Sequence, residues 1–173
     1  VQRPFPLWAG YQGPQGAARA GRLGVGLLSL VPENVRIYTE ALEAAGHGAA
    51  SARCGGVVDL IVCDDPERTR QELLPHYVWQ RWTYRRARGI DETHDECFDE
   101  IASRLSDTGQ LPGLAVCTPR DAIALLRERT SGLPVEHVYL WASLAGMADG
   151  LVDRHVELVC TQVVPALHGA SDS

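Results

Sequence analysis

Three short stretches of this chain carry residue types and spacings that can do chemistry. The first is Gly10-Tyr11-Gln12-Gly13-Pro14, which follows the apolar run Pro6-Leu7-Trp8-Ala9. Glycines let a backbone close on an anion. A helix opening at Pro14 turns its unpaired N–H groups and the positive end of its dipole toward that anion. A phosphate suits this turn chemically, and an ordinary strand-to-helix connection without ligand suits it too. The glycines fall as GxxGxxG and not GxGxxG. No acidic residue closes a second strand ~20 positions on, so the dinucleotide-binding pattern is not met.

The second stretch is in two parts, Leu28-Ser29 and Trp141-Ala142-Ser143, each at the end of an apolar run. In barrel folds, residues at the C-terminal ends of parallel strands are the ones that reach ligands. There Trp141 can stack on a ring or wall a pocket, and Ser29 and Ser143 can offer hydroxyls. Core packing for Trp141 and turn hydroxyls for the serines are the plain alternatives. The third stretch is Asp64-Asp65-Pro66-Glu67. A carboxylate pair can do acid–base or metal work, but this pattern is also a strong helix N-terminus, which accounts for it. His94 and Cys97 have HxxC spacing, and two ligands do not make a metal site. His155, in Asp153-Arg154-His155-Val156-Glu157, is expected to form surface ion pairs. There is no GxSxG elbow, and no residue stands out as catalytic.

Composition narrows the classes. At 173 residues the chain is about one ordinary domain. Its 45% apolar and 22% charged residues belong to a folded protein and not to a disordered one. No stretch approaches the ~20 apolar residues of a membrane helix, so no membrane is expected as partner. The net charge is −6, and all 16 basic residues are arginine with no basic cluster, which argues against nucleic acid. The five cysteines, Cys54, Cys63, Cys97, Cys117 and Cys160, form no CxxC pair; reduced, mostly buried thiols in the cytoplasm are expected. Val1 opens the chain and Met147 is its single methionine, which fits a piece of something longer.

The elements that position these residues alternate. Pro6–Gly10 and Val25–Leu28 read as short strands, with a helix over Ala17–Leu23 between them. Pro32 opens a helix that Gly46 ends. Val57–Cys63 (VVDLIVC) is the clearest strand, nearly continuous in apolar character. Asp64-Asp65-Pro66 caps a long helix to about Ala87 that carries the aromatic stripe His76, Tyr77, Trp79, Trp82 and Tyr84. Its end carries Arg81, Arg85, Arg86 and Arg88, expected to be solvated. A helix over Glu96–Leu105 follows, then a loop through Gly109, Pro112 and Gly113. Next come a helix from Pro119 to Arg129, a strand over His137–Trp141, and a final helix over Leu151–Val164. Strand–helix units repeated four times, with one extra helix, imply an α/β fold with a parallel sheet in one domain.

Four segments in this order resemble a known family. PFPLWAGYQGPQGAARAGRLGVGLL looks like a fifth barrel strand, its glycine turn, helix and sixth strand. VVDLIVCDDPERTR is similar to the seventh strand, and CTPRDAIALLRERTSGLPVEHVYLW to a helix start followed by the eighth strand. DRHVELVCTQVVPAL is similar to the terminal helix. Together they resemble the C-terminal half of the bacterial-luciferase-like monooxygenases, the luciferase-like class of flavin-dependent oxidoreductases, over nearly the whole chain. Cys117 stands where that family usually has glycine, and the family's first four β/α units are absent.

The resemblance implies four β/α units of a (β/α)8 TIM barrel. It implies a cofactor-contacting turn at Ala9, Gly10, Gln12, Gly13 and Pro14, and a substrate pocket drawing on Ser29, Trp141 and Ser143. The implied activity is oxidation of a small organic substrate by reduced flavin (FMN) and O2. Hydride transfer with a deazaflavin coenzyme is the nearest variant, and a non-catalytic half-barrel flavin-binding or scaffold subunit is the rival. Four strands do not close a barrel. Unpaired apolar edges invite aggregation, so a missing N-terminal half or a partner subunit is expected to cover them.

Overall fold

The computed structural model describes residues 5–169. In chain order the elements are β1 (Trp8–Ala9), α1 (Gly13–Leu23), β2 (Gly26–Leu28), α2 (Pro32–Ala44), β3 (Cys54–Val57), β4 (Leu60–Val62), α3 (Pro66–Ala87), α4 (His94–Thr108), β5 (Ala115–Cys117), α5 (Pro119–Thr130), β6 (Val135–Tyr139), α6 (Asp149–Leu158) and α7 (Val164–His168). The chain falls into two compact units. One runs to Val58 and takes in Leu126–Leu140; the other comprises Asp59–Leu125 and the chain from Trp141 onward.

The first unit is a four-stranded parallel sheet in the order β1-β2-β3-β6. Its core lies between the sheet and two helices. Leu27 and Cys54, adjacent in the ladder, meet Ala17 and Ala20 of α1 and Val35, Tyr38 and Leu42 of α2. The α2 residues recur at three- and four-residue spacing, one buried stripe of an amphipathic helix. The α1 contact face is small because α2 comes very close. A Cβ on Gly21 would lie 2.8 Å from the Leu42 nitrogen and against the Tyr38 carbonyl. The Tyr38 hydroxyl accepts a hydrogen bond from the Arg53 N–H at 3.2 Å, satisfying a backbone donor where the chain enters β3.

Side chains alternate across a strand, so Gly26 and Gly55 turn away from the helices. Two rings fill the space over them. Trp8 lies against Gly26 and His137 against Gly55. The rings meet edge to face with centroids 4.4 Å apart, and the Arg53 guanidinium sits 5.2 Å from the Trp8 centroid.

In the second unit β4 and β5 pair in parallel, Leu60 with Ala115 and Val62 with Cys117. Asp65 caps α3 by accepting from the Arg68 N–H at 3.1 Å, with Pro66 in the first turn. Thr93 and Glu96 close a capping box on α4. Ile61, Leu73, Tyr77, Val78, Cys97, Ile101 and Val116 form the centre of its core.

Five readings of the sequence change. Val57–Cys63 is not one strand; β3 ends at Val57 and β4 begins at Leu60, in different sheets. Ala115–Cys117, read as loop, is a strand; the four residues between Gly113 and Thr118-Pro119 are too few to show a period. The last strand is Val135–Tyr139, so Trp141 lies beyond it and not within it. The final helix is broken by a π turn at Val159–Val163 before α7. Arg85, expected to be solvated, bridges Glu92 at 3.0 Å and Glu100 at 2.7 Å.

Gly21→Val should destabilise the protein by roughly 2–3 kcal/mol through overpacking between α1 and α2. The check is a lower urea midpoint at unchanged denaturant slope. Gly10→Ala, where nothing lies within 4 Å of the new methyl, should move it far less.

Candidate functional site

In the first unit the glycine turn is open. Gly10, Tyr11, Gln12 and Pro14 are exposed, and Ala9 and Gly13 are half-buried. Gly13 has φ 76°, a left-handed conformation that a side chain would strain. A Cβ at Gly10 or Gly13 would meet nothing within 4 Å. Pro14 sits in the first turn of α1, and no side chain caps the helix at Gln12. The first N–H groups of a helix have no internal acceptor, and the N-cap side chain accepts from none of them here. One feature escaped the sequence reading. Tyr11 folds back onto Gly16, and Arg19 lies 5.7 Å from its ring centroid, which fixes the path of the turn. Ser29 also belongs to this unit. Its Oγ accepts from the Val31 N–H at 3.3 Å and the Asn34 side-chain amide at 3.5 Å, the role of a turn hydroxyl.

The second unit brings Trp141 and Ser143 together in a cavity of about 300 Å3. The opposite wall comes from α3, where Tyr77, Arg81 and Tyr84 are spaced four and three residues apart and share a face. Asp59 and Leu114 complete the wall near the start of β4 and β5. Trp141 is 61% and Tyr84 62% exposed, whereas Tyr77 is buried and its hydroxyl donates to the Pro112 carbonyl. Burial raises the Tyr77 phenol above its ordinary range, keeping it a neutral donor.

The aromatic stripe therefore divides. Tyr77 and Tyr84 face the cavity. Trp79 and Trp82 turn toward α4, their centroids 4.8 Å apart, with His94 5.8 Å from Trp82. The i, i+4, i+7 spacing of Tyr77, Arg81 and Tyr84 was the signal that could have separated the two faces.

His155 is not at the surface; it is 2% exposed. Its Nδ1 accepts from the Val62 N–H at 2.9 Å, and its Nε2 lies 3.3 Å from the Trp141 carbonyl. A backbone N–H can only donate and a carbonyl can only accept. The ring is therefore neutral, with its proton on Nε2. Burial lowers its pKa from the ordinary value. The imidazole thus ties the residue that walls the cavity to the strand beneath it.

The remaining candidates are occupied. Asp64 takes a two-pronged bond from Arg154, at 2.7 and 2.8 Å, and that guanidinium holds its carboxyl below the ordinary range. Asp65 is the helix cap. Both carboxylates thus have structural partners. Burial pushes the thiols of Cys54 and Cys117 up to about 11, and those of Cys63 and Cys97 upward as well, so none is an activated nucleophile. Among the described residues, His94, Cys97 and their neighbours form no cluster of three potential metal ligands, and no helix is long and apolar enough to cross a membrane.

No family model and no curated protein matches the chain. Solved structures do. Monooxygenase RslO1 from Streptomyces bottropensis superposes with a TM-score of 0.59 at 19% identity, over 95% of this chain and 49% of its own. The apo form of MsnO8 gives 0.61 at 17% identity, over 96% and 52%. Flavoprotein 390 gives 0.53 at 11% identity, over 100% and 71%. At these identities the likeness is one of α/β fold. The chain spans about half the length of the first two.

Because His155 is held neutral, the unfolded chain binds its proton more readily than the folded one. Stability is therefore fully present above the ordinary His pKa of 6.5 and is lost as pH falls below it toward the lowered folded value. Urea midpoints from pH 7.5 down to 5 should fall, and His155→Gln should flatten part of that slope. His155→Ala should cost about 1–3 kcal/mol at pH 7.5 by orphaning the Val62 N–H.

Proposed function

We propose that this chain is the C-terminal half of a flavin-dependent monooxygenase of the luciferase-like type, acting on a small organic substrate with reduced FMN and O2. The observation that carries this reading is the coverage. Nearly all of this chain follows about half of a monooxygenase and about half of a second structure, and a flavoprotein shares the fold. In this reading the two compact units supply four β/α units of a (β/α)8 barrel. The other four come from a further segment or a partner that also covers the open edges of β1 and β6.

The residues fit a flavin phosphate at the glycine turn. The N-terminus of α1 carries no side-chain cap, Gly13 holds the left-handed bend, and space is open over Gly10 and Gly13. Ala9, Gly10, Gln12, Gly13 and Pro14 form that seat. Reduced flavin supplies the activation of O2 when bound. This chain's own contribution is to bind and orient. Trp141 and Ser143 wall the substrate side in the second unit, and Ser29 shapes the chain after β2.

The test is flavin titration. The 173-residue chain alone should bind FMN more weakly than micromolar, because half of the ring's surroundings are absent; submicromolar affinity would overturn the half-site. A longer natural protein containing this segment should bind FMN tightly and consume O2 with reduced FMN. Gly13→Val there should weaken FMN by about tenfold or more while changing riboflavin, which lacks the phosphate, little. A longer protein that takes up no flavin sinks the reading.

A further inference from the structure

The cavity between Trp141 and α3 is bordered by one exposed cation, Arg81, and one exposed anion, Asp59. Among the described residues, neither the Arg81 guanidinium nor the Asp59 carboxylate takes part in a hydrogen bond or an ion pair. On the same helix Arg68, Arg70 and Arg85 are paired with glutamates, and Arg86 lies over the Trp82 ring. Arg81 and Asp59 both act on the Tyr77 phenol, in opposite directions. Trp141 and Tyr84 present large rings that are more than half exposed, though each borders a concave surface. A volume of about 300 Å3 stands at the low end of ligand pockets. That is room for one or two fused rings and not for a long chain.

We infer that this cavity binds a compact aryl compound carrying one oxyanion, with the ring held between Trp141 and Tyr84 and the oxyanion on Arg81. The guanidinium offers paired donors to a carboxylate or phenolate and stacks with arenes. Asp59 sets the charge limit: it accepts from a hydroxyl on the ring and repels a second anionic group. His155 is the positioning residue, since its bond to the Trp141 carbonyl sets where that wall stands. The inference rests on the reading of this cavity as the substrate side of the site, and it names the substrate class.

Calorimetric titration of the 173-residue chain, without flavin, tests it with 2-naphthoate as probe. Trp141, Tyr84, Arg81 and Asp59 all belong to this chain, so the inference is testable on it. 2-Naphthoate should bind, and 2-naphthylmethanol should bind about tenfold more weakly or worse, the loss of one charge-assisted pair. Arg81→Gln should bring the two to equal affinity. Trp141→Ala should weaken both, and Trp79→Ala, on the other face of α3, should weaken neither. Naphthalene-2,6-dicarboxylate should bind more weakly than 2-naphthoate, and Asp59→Asn should remove that difference. Thermal midpoints within a degree or two of the parent establish that each variant folds. No binding of 2-naphthoate, or equal binding by Arg81→Gln, overturns the inference, whatever the flavin titrations give. Naphthoate binding beside a failed flavin titration overturns only the cofactor reading.

Discussion

Most of the backbone of Cys54–Val62 must find hydrogen-bond partners, because seven of its nine residues are buried. It does so by changing partners midway. In the first unit its β3 half pairs with β2 and β6, and the Val58 N–H still reaches the Tyr139 carbonyl at 3.1 Å. In the second unit the Asp59 carbonyl receives the Ala115 N–H at 3.0 Å, and β4 continues along β5. The exposed carboxylate of Asp59 stands at the exchange. One apolar run thus serves two sheets, and each compact unit is built on one half of it.

The candidate cavity follows from that arrangement within the second unit. With β4 committed to β5, the Val62 N–H has no strand acceptor and goes to His155. The other nitrogen of His155 then holds the Trp141 carbonyl. A single neutral imidazole therefore satisfies an orphaned strand donor and places a candidate ligand wall. On the other side, the length of α3 gives it two working faces. Tyr77, Arg81 and Tyr84 line the cavity while Trp79 and Trp82 pack toward α4.

The glycine turn and the cavity differ in how complete they are. The turn has an uncapped helix start and a left-handed glycine, with open space over Gly10 and Gly13. The cavity has rings, a cation and an anion, all from one compact unit. The glycine turn lies open at the surface, whereas the residues that border the cavity all come from the second unit.

Much of the local structure was legible in the sequence. Pro14, Pro32 and Pro66 mark three helix starts because proline loses nothing where no N–H is needed, and Gly24 ends α1 because only glycine accepts its left-handed cap cheaply. The alternation of apolar runs and helical spacings gave away an α/β fold with parallel strands. Tertiary structure alone decided the rest. Nothing in VVDLIVC says that its two ends belong to different sheets, since a strand's partners are remote in sequence. Three residues such as Ala115–Cys117 become a strand only because β4 offers them a ladder. His155, among charged neighbours on a helix, reads as surface until the unpaired Val62 N–H is placed beside it. Residue type and spacing determine which elements can form. Which donors are left over, and which side chains must answer them, is known only when distant strands have met.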